Sequence, residues 1–184
     1  MVPTRARPVP VVAAALSAWL VFLVLDFLAH AVILASWWRA TEAYWLPPME
    51  LFRRIPFGYG AFALFVGTMT WLLVRLRGPQ PSIAEALRFG GLAGLLAGAG
   101  SVMGAYSILA MPPSALPVWT ATTVLESMGA AAAAAWTLRA PRPRRRVLLV
   151  LLLTLVLFVI GVILQNLFFP TAADRLLEDP AQST

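Results

Sequence analysis

The chain has 184 residues, of which 60% are hydrophobic and 12% charged, with a mean hydropathy of +0.82 and no cysteine. Too few polar side chains are present to cover a water-soluble globule, which places the chain among membrane proteins, and the lack of thiols excludes disulfides, thiolate metal sites and cysteine nucleophiles. The net charge of +6 comes from 14 arginines with no lysine, a balance that orients a membrane chain and meets anionic headgroups, and it does not point to nucleic acid.

Crossing the hydrocarbon core as a helix takes about 20 apolar residues, because lipid forces every backbone group to be satisfied internally. Five segments qualify: Val11–Trp38, Phe57–Val74, Ile83–Met111, Val118–Leu138 and Val147–Phe169. The expected fold is therefore an all-α membrane protein, a bundle of five transmembrane helices in one domain over 1–184, with 170–184 as a short polar tail. A signal peptide is the competing reading of the first segment, since Arg5 and Arg7 precede it and Ala29-His30-Ala31 has the small-x-small cleavage form. An h-region runs about 7–15 residues, however, and this stretch is longer and carries Asp26.

The joints support the same division. Pro47 and Pro48 precede the second span, Gly78-Pro79-Gln80-Pro81 precedes the third, Pro112-Pro113 closes it against the fourth, and Ala140-Pro141-Arg142-Pro143 ends the fourth. Arg5, Arg7, Arg75, Arg77, Arg88, Arg139, Arg142, Arg144, Arg145 and Arg146 then fall on one side, which should be cytoplasmic. The other side holds Arg39, Arg53, Arg54 and Arg175, partly balanced by Glu42, Glu50, Asp174, Glu178 and Asp179. The N terminus is thus expected inside and the C terminus outside. Trp37, Trp38, Trp45 and Trp119 would lie at the outer boundary and Trp71 and Trp136 at the inner one, as an aromatic belt; Trp19 fits neither.

In the third span Gly90, Gly94, Gly98, Ser101 and Ala105 recur every three or four residues, a small-residue stripe that lets a neighbouring backbone approach closely. The run from Gly129 to Ala135 in the fourth span is the expected partner. A homo-oligomer seam or a contact within a larger membrane complex is the alternative use of such a face.

The polar residues inside the spans are the candidates for function. Asp26 and His30, four apart, share one face of the first helix, and Glu126 lies near the middle of the fourth. By helical rise Asp26 is roughly 18 Å and the other two roughly 12 Å from the outer ends of their spans, so the three can meet. An ionised acid at mid-membrane costs about 2.5–3.5 kcal/mol, which makes a partner or a purpose necessary. Four uses stay open. Asp26 can pair with His30 while Glu126 accepts hydrogen bonds from Thr120, Thr122, Thr123, Ser101 or Tyr106; the group can be proton-responsive; one histidine with two carboxylates can ligate a metal or haem; or the carboxylates can act as a catalytic pair. Tyr106 and Gln165 are expected to complete a ligand or proton pocket. No phosphate-cradling loop, serine elbow or paired-histidine zinc motif occurs, so no catalytic or metal set is assigned and no cofactor is required.

Two resemblances add to this. DFLAHAVIL (Asp26–Leu34), SIAEALRFGGLAGLL (Ser82–Leu96), YSILAMPP (Tyr106–Pro113) and VWTATTVLES (Val118–Ser127) resemble an uncharacterised family of small bacterial multi-span membrane proteins with an Asp-Phe-x-x-His first helix, over about residues 16–139. The resemblance implies a bacterial inner-membrane location, makes Asp26, His30 and Glu126 the marking polar positions, and has Ala31 where glycine is expected. Trp45-Leu46-Pro47-Pro48 followed by Phe52 is similar to the W-x-P-P-x-x-x-F signature of the tryptophan-rich sensory proteins, the translocator-protein family. That similarity implies a small hydrophobic, tetrapyrrole-like ligand. The leading expectation is a non-enzymatic membrane component or accessory subunit packing through small-residue helix faces; the alternative is a protein that binds or carries a small ligand or proton at the Asp/His/Glu pocket.

Overall fold

A computed structural model of the chain describes residues 8–41, 44 and 46–168. Their long elements are all helical: α1 (Pro8–Phe27), a π-helical segment (Leu28–Ile33), α2 (Ala35–Ala40), α3 (Pro48–Arg77), α4 (Ile83–Ile108), α5 (Ala115–Leu138) and α6 (Pro143–Phe168). Arg5, Arg7, Glu42, Trp45 and the expected polar tail with Asp174, Arg175, Glu178 and Asp179 lie outside the described residues.

Local chemistry explains the ends. Pro48 opens α3 at a first-turn position, where its missing N–H costs nothing. The helix starts well before the expected Phe57 and runs through the exposed Pro56. It stops at Gly78, whose φ of +88° with ψ of 179° is backbone that only glycine adopts without strain. Helix α4 begins with a capping box, in which the Glu85 N–H donates to Ser82 Oγ at 3.2 Å and the Ser82 N–H to Glu85 Oε2 at 2.8 Å. The expected first span is not one helix. The Leu34 N–H reaches back five residues to the Ala29 carbonyl at 2.8 Å, the chain turns at Leu34, and α2 follows.

Four helices are long and apolar enough to cross a membrane: Pro10–Ile33, Met49–Arg77, Ile83–Ile108 and Pro143–Phe168. Helix α5, the expected fourth span, is not among them. It has 24 residues, but threonines, serine, Glu126 and a run of alanines replace the leucines of the other helices. It buries ten positions where α4 buries five, so it is the inner helix, packed along α4 on one side and α1 on another, while α1 also holds α3 and α6. A helix enclosed by its neighbours does not need a lipid-compatible surface.

Close approach between small residues makes this packing. Ala14, Ala18 and Phe22 of α1 meet Val66, Met69 and Leu73 of α3 and Ala130, Ala131, Ala134 and Ala135 of α5. The Phe22 ring lies 4.9 Å from that of Phe62 and 6.0 Å from that of Phe65. Between α4 and α5, a β-carbon at Gly90 would collide with the Ser127 carbonyl oxygen, one at Gly94 would sit 2.7 Å from the Thr123 carbonyl oxygen, and one at Gly98 would sit 2.9 Å from Thr123 Cβ.

The small-residue face differs from the expected one at two places. Its period is four, so Val102 continues it after Ala86, Gly90, Gly94 and Gly98. Ser101 turns outward, its hydroxyl donating to the Gly98 carbonyl at 3.1 Å, and Ala105 is half-buried. Gly129 does not face α4 either; a side chain there would meet Leu25 of α1. Trp19 ties α1 to α3, donating to the Tyr59 carbonyl at 3.3 Å. Gly161 of α6, a position the expected packing omits, lets Phe27 and Leu28 approach, with 2.6 Å from its would-be β-carbon to Phe27 Cε1.

Candidate functional site

Asp26 sits in the last turn of α1, His30 in the π-helical segment, and Glu126 at the middle of α5. His30 Nε2 lies 3.5 Å from Asp26 Oδ1 and 3.7 Å from Glu126 Oε1. Each of the three offers a ligand atom within 4.8 Å of the others. The Glu126 side chain is 4% exposed, against 25% for Asp26 and 22% for His30, so one carboxylate is enclosed and the other has an open side.

The other ring nitrogen of His30 is occupied. Trp38 Nε1–H donates to His30 Nδ1 at 2.8 Å, with the two rings edge to face at 5.1 Å. In an uninterrupted α-helix a residue eight positions on lies about 80° away from the face of the first. The π segment accommodates an extra residue, and Trp38 returns over the imidazole. Trp37 and Trp119 pack edge-on around Trp38 at 5.0 and 6.2 Å, so the expected outer belt contributes a wall to the site.

This arrangement fixes the chemistry of the imidazole. With its Nδ1 lone pair taken by an indole N–H, the neutral ring carries its proton on Nε2, the nitrogen directed at both carboxylates. A metal-bound histidine has the opposite polarity: it binds through one nitrogen and donates the N–H of the other to an acceptor. The three ligand atoms are close enough for a cation, but an indole donor behind the histidine suits a proton on Nε2 better than a metal.

The hydroxyls expected to serve Glu126 are used elsewhere. Thr122 and Thr123 both donate to the Trp119 carbonyl, at 2.9 and 3.0 Å, and Ser101 to that of Gly98. Glu126 Oε1 is buried without a hydrogen bond among the described residues. Its company is the 3.7 Å approach of His30. Tyr106 is 41% exposed near the end of α4 and Gln165 half-buried on α6; neither hydrogen-bonds to the trio. The expected pocket of five thus contracts to Asp26, His30 and Glu126, with Trp38 added. Spacing gave no hint of Trp38, because its approach depends on the π segment.

No protein-family model, curated protein or solved structure matches the chain.

Proposed function

We propose that this is an integral membrane protein of five transmembrane helices, a non-enzymatic component of a bacterial inner membrane, whose Asp26–His30–Glu126 trio holds and exchanges a proton. Four helices have the length and hydropathy to span, and α5 counts as the fifth because its neighbours shield it from lipid. Arg75, Arg77, Arg88, Arg139, Arg142, Arg144, Arg145 and Arg146 mark the cytoplasmic side, which puts the N terminus inside and the C terminus outside. A C-terminal alkaline phosphatase fusion should be active; activity of a reporter that works only in the cytoplasm would refute the topology.

The observation that carries the functional reading is the imidazole Nε2 between two carboxylates, with Nδ1 capped by Trp38. An arriving proton lands on a carboxylate oxygen, and the Nε2–H donates to whichever carboxylate remains ionised. By changing partner it lets the proton reside on the more open Asp26 or the enclosed Glu126. The proton belongs to the pair, and the trio titrates as a unit. Infrared difference spectroscopy of the carboxyl stretch tests this: a protonated-carboxyl band should appear and vanish with pH in the wild type and be lost in Glu126→Gln. A band indifferent to both would sink the reading. Zinc or manganese retained through chelation, and lost in His30→Ala, would favour the metal use instead.

A subunit role is the second reading. Gly100 and Gly104 of α4 have open space where a β-carbon would lie, outside the α4–α5 contact. Native mass measurement in mild detergent would show a second protein at fixed stoichiometry. The tetrapyrrole reading has less support, since both nitrogens of the single histidine face other groups and Trp45 lies outside the described residues.

A further inference from the structure

The join of α5 and α6 gathers Arg139, Arg142, Arg144, Arg145 and Arg146, and none of them pairs with a carboxylate among the described residues. Arg146 lies with its guanidinium carbon 4.0 Å from the Trp136 ring centroid; the other four are exposed. The charge stands where the fold least tolerates it. Helix α6 has no acidic residue in its first turn, and Arg142, just before the helix, has no side-chain oxygen for the first-turn N–H groups. Positive charge at a helix N-terminus is unfavourable unless an anion answers it.

The geometry says which anion. Arg142, Arg145, Arg146 and Leu149 are spaced three, four and seven residues from the first, so they share one helix face, and they line an open groove with Ala140 and Pro141. Beyond Leu149 the same face continues as Leu152, Leu153 and Val156, all exposed. Guanidinium groups at the boundary with an apolar track below them match a molecule with a phosphate at one end and an acyl chain at the other.

We propose that this face is a binding site for an anionic phospholipid of the cytoplasmic leaflet, its phosphate held by Arg142, Arg145 and Arg146 and one acyl chain lying along Leu149, Leu152 and Val156. The proposal rests on the membrane reading above, which resistance to alkaline extraction checks separately. The full-length protein in mild detergent is mixed with phosphatidylglycerol or phosphatidylcholine, and bound lipid is read by native mass measurement. Phosphatidylglycerol should be retained at least tenfold more strongly than phosphatidylcholine, with inorganic phosphate failing to displace it at equal concentration. Each arginine near a membrane surface is worth about fivefold in affinity, so Arg142→Gln with Arg145→Gln should cost on the order of 25-fold. Arg139→Gln with Arg144→Gln, which leaves the face intact, should cost clearly less. Equal retention of the two lipids by the wild type, equal losses in the two double variants, or displacement by inorganic phosphate would each overturn the site, whether or not the variants fold.

Discussion

Two faces of α5, about 100° apart around the helix, make opposite use of the same small-residue chemistry. Toward α4, Thr120, Thr123 and Ser127 meet three glycines, and the Thr123 hydroxyl is satisfied on its own helix. Toward α1, Gly129 admits Leu25 and the adjoining turn presents Glu126 to His30. The first face is a backbone-to-backbone seam that leaves no room for a ligand. On the second, a carboxylate is enclosed without a hydrogen bond, beside a histidine whose proton is directed at it. The glycine seam holds α5 in place, and that placement brings Glu126 within reach of α1.

Substitutions that separate the two faces sharpen the comparison. The largest effect is expected at the seam. Gly94→Leu should abolish recovery of monodisperse protein, and Gly94→Ala should lower thermal stability in detergent by about 1–3 kcal/mol, as overpacking does; an unchanged melting profile for Gly94→Ala would mean that the seam yields. On the other face, Glu126→Gln and Asp26→Asn should each leave the fold intact and remove the pH dependence of tryptophan fluorescence that Trp38 reports beside His30. A pH response that persists in both would place the titrating group elsewhere. Trp38→Phe, which keeps an aromatic wall but deletes the indole donor, should cost about 1 kcal/mol for the lost hydrogen bond and release Nδ1. The smallest effect belongs to Gly100→Ala, within about 0.5 kcal/mol in isolated protein, because open space surrounds that position. A larger loss there only when the protein is in its native membrane would reveal a covering partner.

Much of this was legible from residue types. Hydropathy located the long helices, and the costly groups Asp26, His30 and Glu126 do converge. The capping box at Ser82 and Glu85 was also readable from its spacing, though it was not among the expectations. Other features were not legible, for physical reasons. The three-or-four spacing of small residues admits either Ser101 or Val102 as the next contact, and only the partner's backbone decides between them. Composition makes α5 look like a weaker span, because the depth at which its neighbours enclose it is a tertiary property. The approach of Trp38 to His30 depends on an extra residue taken up by one π-helical turn, which side-chain periodicity does not encode.

With one histidine in the chain, the tautomer on which the proton site depends can be read without assignment. In protein labelled with ¹⁵N-histidine, NMR should show neutral His30 protonated on Nε2, with Nδ1 a hydrogen-bonded acceptor whose shift moves in Trp38→Phe. A neutral ring carrying its proton on Nδ1 would contradict the account, since Trp38 would then have no acceptor and no N–H would point at the carboxylates.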